Sequence, residues 1–212
     1  NECQDPEIRF RSIDLLKQTL DCCQALGAYA LVGPLHSGLG VFSGKAPSEH
    51  EWGWGVENLK KVSEHAGQCG VKLGIEFLNR FETYFLTCAA DAAKFVKAID
   101  HPSCCMMYDT FHAHIEEKDV ADAIRSCAEH LILVHTSEND RSTPGSGSVN
   151  WEATFNTLRE VDYDGWLTIE AFGQSLEDLL AATKIWRRMY ETEDQLASDG
   201  LKFLKEEVAK RW

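Results

Sequence analysis

The most constraining feature of this chain is an alternation of two kinds of segment. Short, nearly continuous apolar runs are separated by longer stretches of helical periodicity. The runs are AYALVGPL at 28–35, VKLGIEFL at 71–78, CCMMYD at 104–109, LILVH at 131–135 and WLTIEAF at 166–172. Strands of this kind are buried on both faces, as in parallel sheets covered by their own crossover helices. The intervening pattern predicts helices from Asp5-Pro6 to about Leu26, over 54–69 with Gly70 as its cap, over 88–99, over 118–129 and over 151–161 behind Asn150. Two more are expected at about 175–190 and 192–211, and a Gly- and Ser-rich loop from His36 to about Glu51. The reading is five βα units in a single domain over residues 1–212.

Two parallel architectures compete for such a pattern. A doubly wound sheet usually carries a glycine-rich phosphate loop after an early strand, and neither G-x-G-x-x-G nor G-x-x-x-x-G-K-[ST] occurs here. A (β/α)₈ barrel instead gathers polar residues at the C-terminal ends of many strands. Residues two apart share a strand face. On that rule Gly74, Glu76 and Leu78 group together, as do Cys105, Met107 and Asp109, Leu131, Leu133 and His135, and Trp166, Thr168 and Glu170. One acid at a strand end ordinarily just begins a solvated loop. Four successive strands presenting Glu76, Asp109, His135 and Glu170 point to convergence at the top of a barrel. Three carboxylates and an imidazole at one point repel one another unless a cation sits among them. Oxygen donors with one nitrogen suit a hard or borderline divalent ion: Mn²⁺, Mg²⁺, Co²⁺ or Zn²⁺.

Charge narrows the partners. Lys+Arg number 21 against 34 Asp+Glu, a formal charge of −13, which opposes binding to nucleic acid or to an anionic membrane surface. No apolar run reaches the ~18 residues of a membrane span. The opening residues Asn1 to Pro6 are polar and show no secretory pattern. The eight cysteines include no C-x-x-C pair and read as reduced, largely buried thiols of a cytoplasmic protein.

Four segments carry a family resemblance: E-F-L-N-R-F-E at 76–82, D-T-F-H at 109–112, H-T-S-E-N-D-R at 135–141 and I-E-A-F at 169–172. Weaker ones join them, Y-D-G at 163–165 and P-G-x-G-x-x-x-W at 144–151. Together they resemble the ketose 3-epimerases of the D-tagatose 3-epimerase group, within the xylose-isomerase-like TIM barrels. The resemblance implies an isomerase or epimerase acting on a small-molecule sugar with one divalent metal ion, Mn²⁺ ahead of Mg²⁺, Co²⁺ or Zn²⁺. It implies that Glu76, Asp109, His135 and Glu170 are the metal ligands and that Glu76 and Glu170 are also the catalytic acid/base pair. It further implies substrate contacts by Glu82, His112 and Arg141. A free ketose is expected over a sugar phosphate, since no basic cluster or phosphate loop is evident.

Family members have eight strands, and the motifs here align with strands four to eight. The chain is therefore expected to lack the first three strands, and its open sheet edges, if it is complete, to draw it into a homo-oligomer. Other readings stay open at this point: an aldose–ketose isomerase or inosose dehydratase of the same superfamily, an endonuclease of the same barrel type (which −13 disfavours), and a non-catalytic metal-binding remnant. The aromatics Phe42, Trp52 and Trp54 are candidates to shield a sugar, and the stretch 142–149 is a candidate lid.

Overall fold

The computed structural model describes residues 5–212. Helix α1 (Pro6–Leu26) starts where the sequence places it: Asp5 Oδ1 accepts the Glu7 N–H at 2.8 Å, and Gly27 closes the helix in the left-handed region. Strand β1 (Ala30–Gly33) is shorter than its apolar run, because Gly33 turns to φ 136° ahead of Pro34. Helix α2 (Glu49–Cys69) begins five residues before the predicted 54. The signal passed over is a capping box, S-x-x-E: the Ser48 hydroxyl accepts the Glu51 N–H at 3.2 Å, and the Glu51 carboxylate accepts the Ser48 N–H at 2.7 Å. That places Trp52 and Trp54 on a helix, not in a loop. Trp52 meets Phe95 edge-on at 5.0 Å and Trp54 lies under the Arg9 guanidinium at 4.4 Å. Packing accounts for both.

Strand β2 (Lys72–Glu76), helix α3 (Ala89–Ile99) and strand β3 (Cys104–Asp109) follow the expected order. A short helix α4 (Thr110–Glu116), absent from the sequence reading, leaves β3 directly, and Asp109 caps it. Then come α5 (Val120–Cys127), a 3₁₀ turn (Ala128–His130), β4 (Leu131–Thr136), α6 (Trp151–Glu160), β5 (Trp166–Ile169), α7 (Glu177–Thr183) and α8 (Glu193–Ala209). None of the described helices is long and apolar enough to cross a membrane.

The five strands pair in the order β1-β2-β3-β4-β5, every pair parallel, which makes a half-barrel with β1 and β5 at its edges. Its outer face supplies Leu73, Ile75, Met106, Tyr108, Leu131 and Val134 to a core completed by Leu59, Val62, Phe95 and Ile124 from the helices. Leu131 belongs to that outer face, which corrects its grouping with His135. Met106 pairs with Leu131 but Met107 pairs with Leu133, so Ile132 is an extra residue and β4 carries a bulge. The inserted residue flips the alternation below Leu133 and leaves Leu133 and His135 facing inward. Ile132 reaches the inner side near Gly74, where a Cβ would also meet Val32 Cγ1 at 2.7 Å.

Candidate metal centre

Parallel register sets the height of each inward residue. Glu76 pairs with Met107, Asp109 with His135, and His135 with Thr168. Glu76 therefore starts two residues lower than Asp109 along the strands, an offset that its longer side chain closes in part. Glu170 lies one residue beyond β5. The four side chains meet: each offers a ligand atom, and these atoms all lie within 4.8 Å of one another. Asp109 is fully buried and Glu76 nearly so, whereas the side chains of His135 and Glu170 remain 14% and 22% exposed, so the cluster opens to one side.

The surroundings divide the work of the four groups. Asp109 uses Oδ1 to accept the Phe111 N–H at 2.7 Å, which leaves Oδ2 for the centre. The Arg141 guanidinium reaches into the cluster: Nη1 donates to Asp109 Oδ2 and to Ser137 Oγ, each at 2.9 Å, and also to Glu170 Oε2. The same guanidinium lies 3.8 Å from the Phe111 ring centre and 5.0 Å from that of Phe172. His112 Nδ1 accepts the Asn79 backbone N–H at 3.0 Å. A backbone N–H only donates, so in the neutral ring Nε2 carries the proton. That atom sits 3.6 Å from Glu76 Oε1 and 3.2 Å from Arg141 Nη2. Since both of the latter pair are donors, their approach is a contact that awaits an acceptor between them. Glu82, half-buried in the loop after β2, accepts from the Asn79 side chain at 2.8 Å. The residues singled out by the family motifs, Glu82, His112 and Arg141, are thus drawn together around the cluster.

Electrostatics separate the two glutamates from the aspartate. Burial first, then the charges of Asp109 and Glu170, push the Glu76 carboxyl well above the usual range. Burial likewise raises Glu170. Burial works in the same direction on Asp109, but Arg141, His135 and His112 outweigh it and hold Asp109 well below that range. For His135, burial opposes a charge, yet the Asp109 and Glu170 carboxylates raise the ring to about 10. Its Nδ1 lies 3.1 Å from Glu170 Oε1 and 3.8 Å from Asp109 Oδ2 but makes no hydrogen bond with either. A buried, converging, unbonded nitrogen beside three carboxylates fits a divalent cation, which would take over the compensation that protonated His135 and Arg141 otherwise supply.

Three supporting residues escaped the sequence reading. His36 Nε2 donates to the Glu76 carbonyl at 2.8 Å from a fully buried site, where burial lowers its pKa to about 4, so it stays neutral. Asn79 orients both His112 and Glu82. Glu138 is fully buried beneath the 139–150 loop. Its carboxylate accepts the backbone N–H groups of Asn139, Gly145 and Val149 and the Trp151 indole N–H, at 2.8–3.0 Å. This stretch, a lid candidate by composition, is tied down. Each of these residues follows its strand within a few positions, but nothing in the local pattern separates a buried anchor from a solvated loop residue. Glu138→Gln keeps the shape and loses the charge that holds four donors; it is expected to cost about 2–4 kcal/mol, read as a lower midpoint in urea.

Comparison with known proteins agrees with the architecture. The sequence profile of the xylose isomerase-like TIM barrel family matches residues 2–207. The chain is 35% identical over 203 residues to a probable ketose 3-epimerase of Synechocystis sp., covering 96% of this chain and 71% of that protein. It is 34% identical over 208 residues to a D-psicose 3-epimerase of Enterocloster bolteae, covering 95% and 69%. Among solved structures it is similar to an L-ribulose 3-epimerase, with TM-score 0.94, 31% identity and coverage of 99% and 71%. It is also similar to a D-psicose 3-epimerase of Clostridium cellulolyticum crystallised with D-tagatose, with TM-score 0.90, 29% identity and coverage of 98% and 73%. Strand order, the converging strand ends and these likenesses agree: the chain belongs to the xylose isomerase-like TIM barrel family.

Proposed function

We propose that the chain inverts C3 of a free ketose, with Glu76 and Glu170 as the acid/base pair and Glu76, Asp109, His135 and Glu170 as the ligands of one divalent cation. The observation that carries this reading is the placement of the two glutamates. They come from β2 and from the end of β5, with β3 and β4 between them, so they approach the cluster from opposite sides. Relatives named as ketose, D-psicose and L-ribulose 3-epimerases support the substrate class. Mn²⁺ is the ion proposed first, on the donor set of three carboxylates and one imidazole.

Inversion at a carbinol carbon beside a ketone needs a proton taken from one face and one returned to the other. A bound divalent cation supplies Lewis acidity toward oxygens on the two carbons and so favours ionisation of the C3–H bond. One glutamate, as carboxylate, accepts the C3 proton; the C–H electron pair becomes the C2–C3 double bond of the enediolate. The opposite glutamate, as carboxylic acid, delivers a proton to the other face of C3 and regenerates the ketone. Each turnover exchanges the two protonation states, and proton exchange of both carboxyls with water resets them for the next, which is also how deuterium enters C3 in D₂O. Without a cation, burial and the neighbouring carboxylates raise both Glu76 and Glu170, which marks them rather than Asp109 as the members of the cluster able to carry a proton. Asp109, held ionised, suits a purely ligating role. The His112 Nε2–H and the Arg141 Nη2 group converge where both could donate to a substrate oxygen and stabilise the negative charge that develops on it. Glu82 can accept from a substrate hydroxyl. The acidic −13 chain has no phosphate loop, consistent with a free sugar.

The test is NMR of a panel of ketoses incubated with the protein and Mn²⁺ in D₂O, recorded after the metal is removed by chelation. Deuterium at C3 together with a new epimer is the expected result. Deuterium at C1 or C2 with aldose formed would reassign the chain to aldose–ketose isomerisation. No exchange in any sugar, despite bound metal, would overturn the reading.

A further inference from the structure

A second convergence of metal-binding side chains lies away from the strand ends. Asp21 on α1 and His65 and Cys69 on α2 bring three donor atoms within 4.8 Å of one another. His65 and Cys69 are four residues apart on one helix, so they stack on a single face, the spacing by which helices present paired zinc ligands. Asp21 comes from the helix packed against that face. From the structure we infer that Asp21, His65 and Cys69 form a structural site for a borderline divalent cation of the Zn²⁺ type, which clamps α1 onto α2.

The donor distances need little adjustment. His65 Nε2 lies 2.7 Å and Cys69 Sγ 3.6 Å from the same oxygen, Asp21 Oδ1. Tetrahedral Zn²⁺ with bonds of about 2.0 Å to O and N and about 2.3 Å to S sets its donors roughly 3.3–3.6 Å apart. The Asp21–Cys69 pair is already at that spacing, and the Asp21–His65 pair must open by about 0.6 Å. Asp21 has 60% of its side chain exposed, which leaves a water a way to the fourth position. The thiol stands in a field that a cation would relieve: partial burial, then the Asp21 carboxylate, then the neighbouring Cys23 raise it. One imidazole, one carboxylate and one thiolate select a softer ion than the strand-end cluster, which offers no sulfur.

Position argues for a structural role. Asp21, His65 and Cys69 lie in the last turns of helices that end at Gly27 and Gly70 and feed the N-terminal ends of β1 and β2. The strand-end cluster is at the other end of the sheet. In barrels of this kind the N-terminal end carries stability and the C-terminal end chemistry. The alternative is a hydrogen-bonded bracket in which His65 and the Cys69 thiol simply share the Asp21 carboxylate, with no affinity for metal.

Sulfur makes the two outcomes separable. Metal-stripped protein is titrated with Co²⁺ and followed in the near ultraviolet, where only a thiolate ligand gives a sulfur-to-cobalt charge-transfer band. One equivalent of that band is expected, lost in Cys69→Ser and in His65→Ala, and kept in Cys105→Ser and in Glu170→Gln. Circular dichroism checks that each variant is folded. Zn²⁺ is expected to raise the Tm of the parent by more than it raises that of Cys69→Ser, the remaining shift belonging to the strand-end cluster, which holds no sulfur. Absence of the band in folded protein, or a band that survives Cys69→Ser, would overturn the site.

Discussion

Glu170→Gln is expected to stop C3 inversion, lowering kcat by about 10³-fold or more, within the upper range for loss of a positioned acid/base group. The amide keeps an oxygen for the cation but can neither accept the C3 proton nor deliver one. A two-base mechanism makes a sharper statement than loss of activity. With Glu76 intact, one epimer of the substrate should still exchange its C3 proton with D₂O, because that face retains a base. The other epimer should not exchange, and neither should invert. Glu76→Gln should show the mirror pattern, with exchange confined to the opposite epimer. NMR of both epimers incubated separately with each variant reads this directly. Exchange of both epimers in one variant, or inversion that persists, would mean that a single base serves both faces and that the pairing of Glu76 with Glu170 is wrong.

Arg141→Ala is expected to produce the largest loss of stability in the metal-free protein. The guanidinium is buried and donates to Asp109, Ser137 and Glu170 at once. Asp109 is fully buried and held ionised chiefly by Arg141. Removing one side of such an arrangement leaves an uncompensated charge, typically about 3–5 kcal/mol. Loss of the cation–π contacts with Phe111 and Phe172 acts in the same direction. Because a divalent ion supplies the missing positive charge, Mn²⁺ should recover a substantial part of the loss, and the shift in Tm on adding metal should be larger for the variant than for the parent. Arg141→Lys should fall between the two, since an ammonium restores the charge but not the planar group that lies over the Phe111 and Phe172 rings. Chemical denaturation with and without metal measures all three proteins. A variant as stable as the parent without metal would show that Asp109 is compensated in another way.

Arg141 also marks the boundary of what the sequence carries. It occupies the left-handed region at φ 62°, in a loop whose composition says only that it is a loop. That conformation and the bond from Phe172 N to the Arg141 carbonyl turn its side chain inward. By spacing alone it was indistinguishable from a surface residue, and only the family motif pointed to it. The same holds for Glu138, whose acceptors bind groups seven to thirteen residues away along a folded loop. His36 is a third case, forty residues from the carbonyl it holds.

The sequence by itself determined the alternating strand and helix order, the parallel sheet and the four residues at the strand ends. These follow from hydrophobic period and from the side-to-side alternation of a strand, and both are local properties of the chain. It also contained the capping box that starts α2 early. Tertiary structure alone decided the rest. The bulge at Ile132 reversed the face of Leu131, because register depends on the neighbouring strand. The stagger between β2 and β3 set the backbone of Glu76 two residues short of Asp109 while their side chains still meet, and helix packing set Asp21 beside His65 and Cys69. Each of these is a relation between segments distant in sequence, fixed by which surfaces pack together, and no local pattern encodes it.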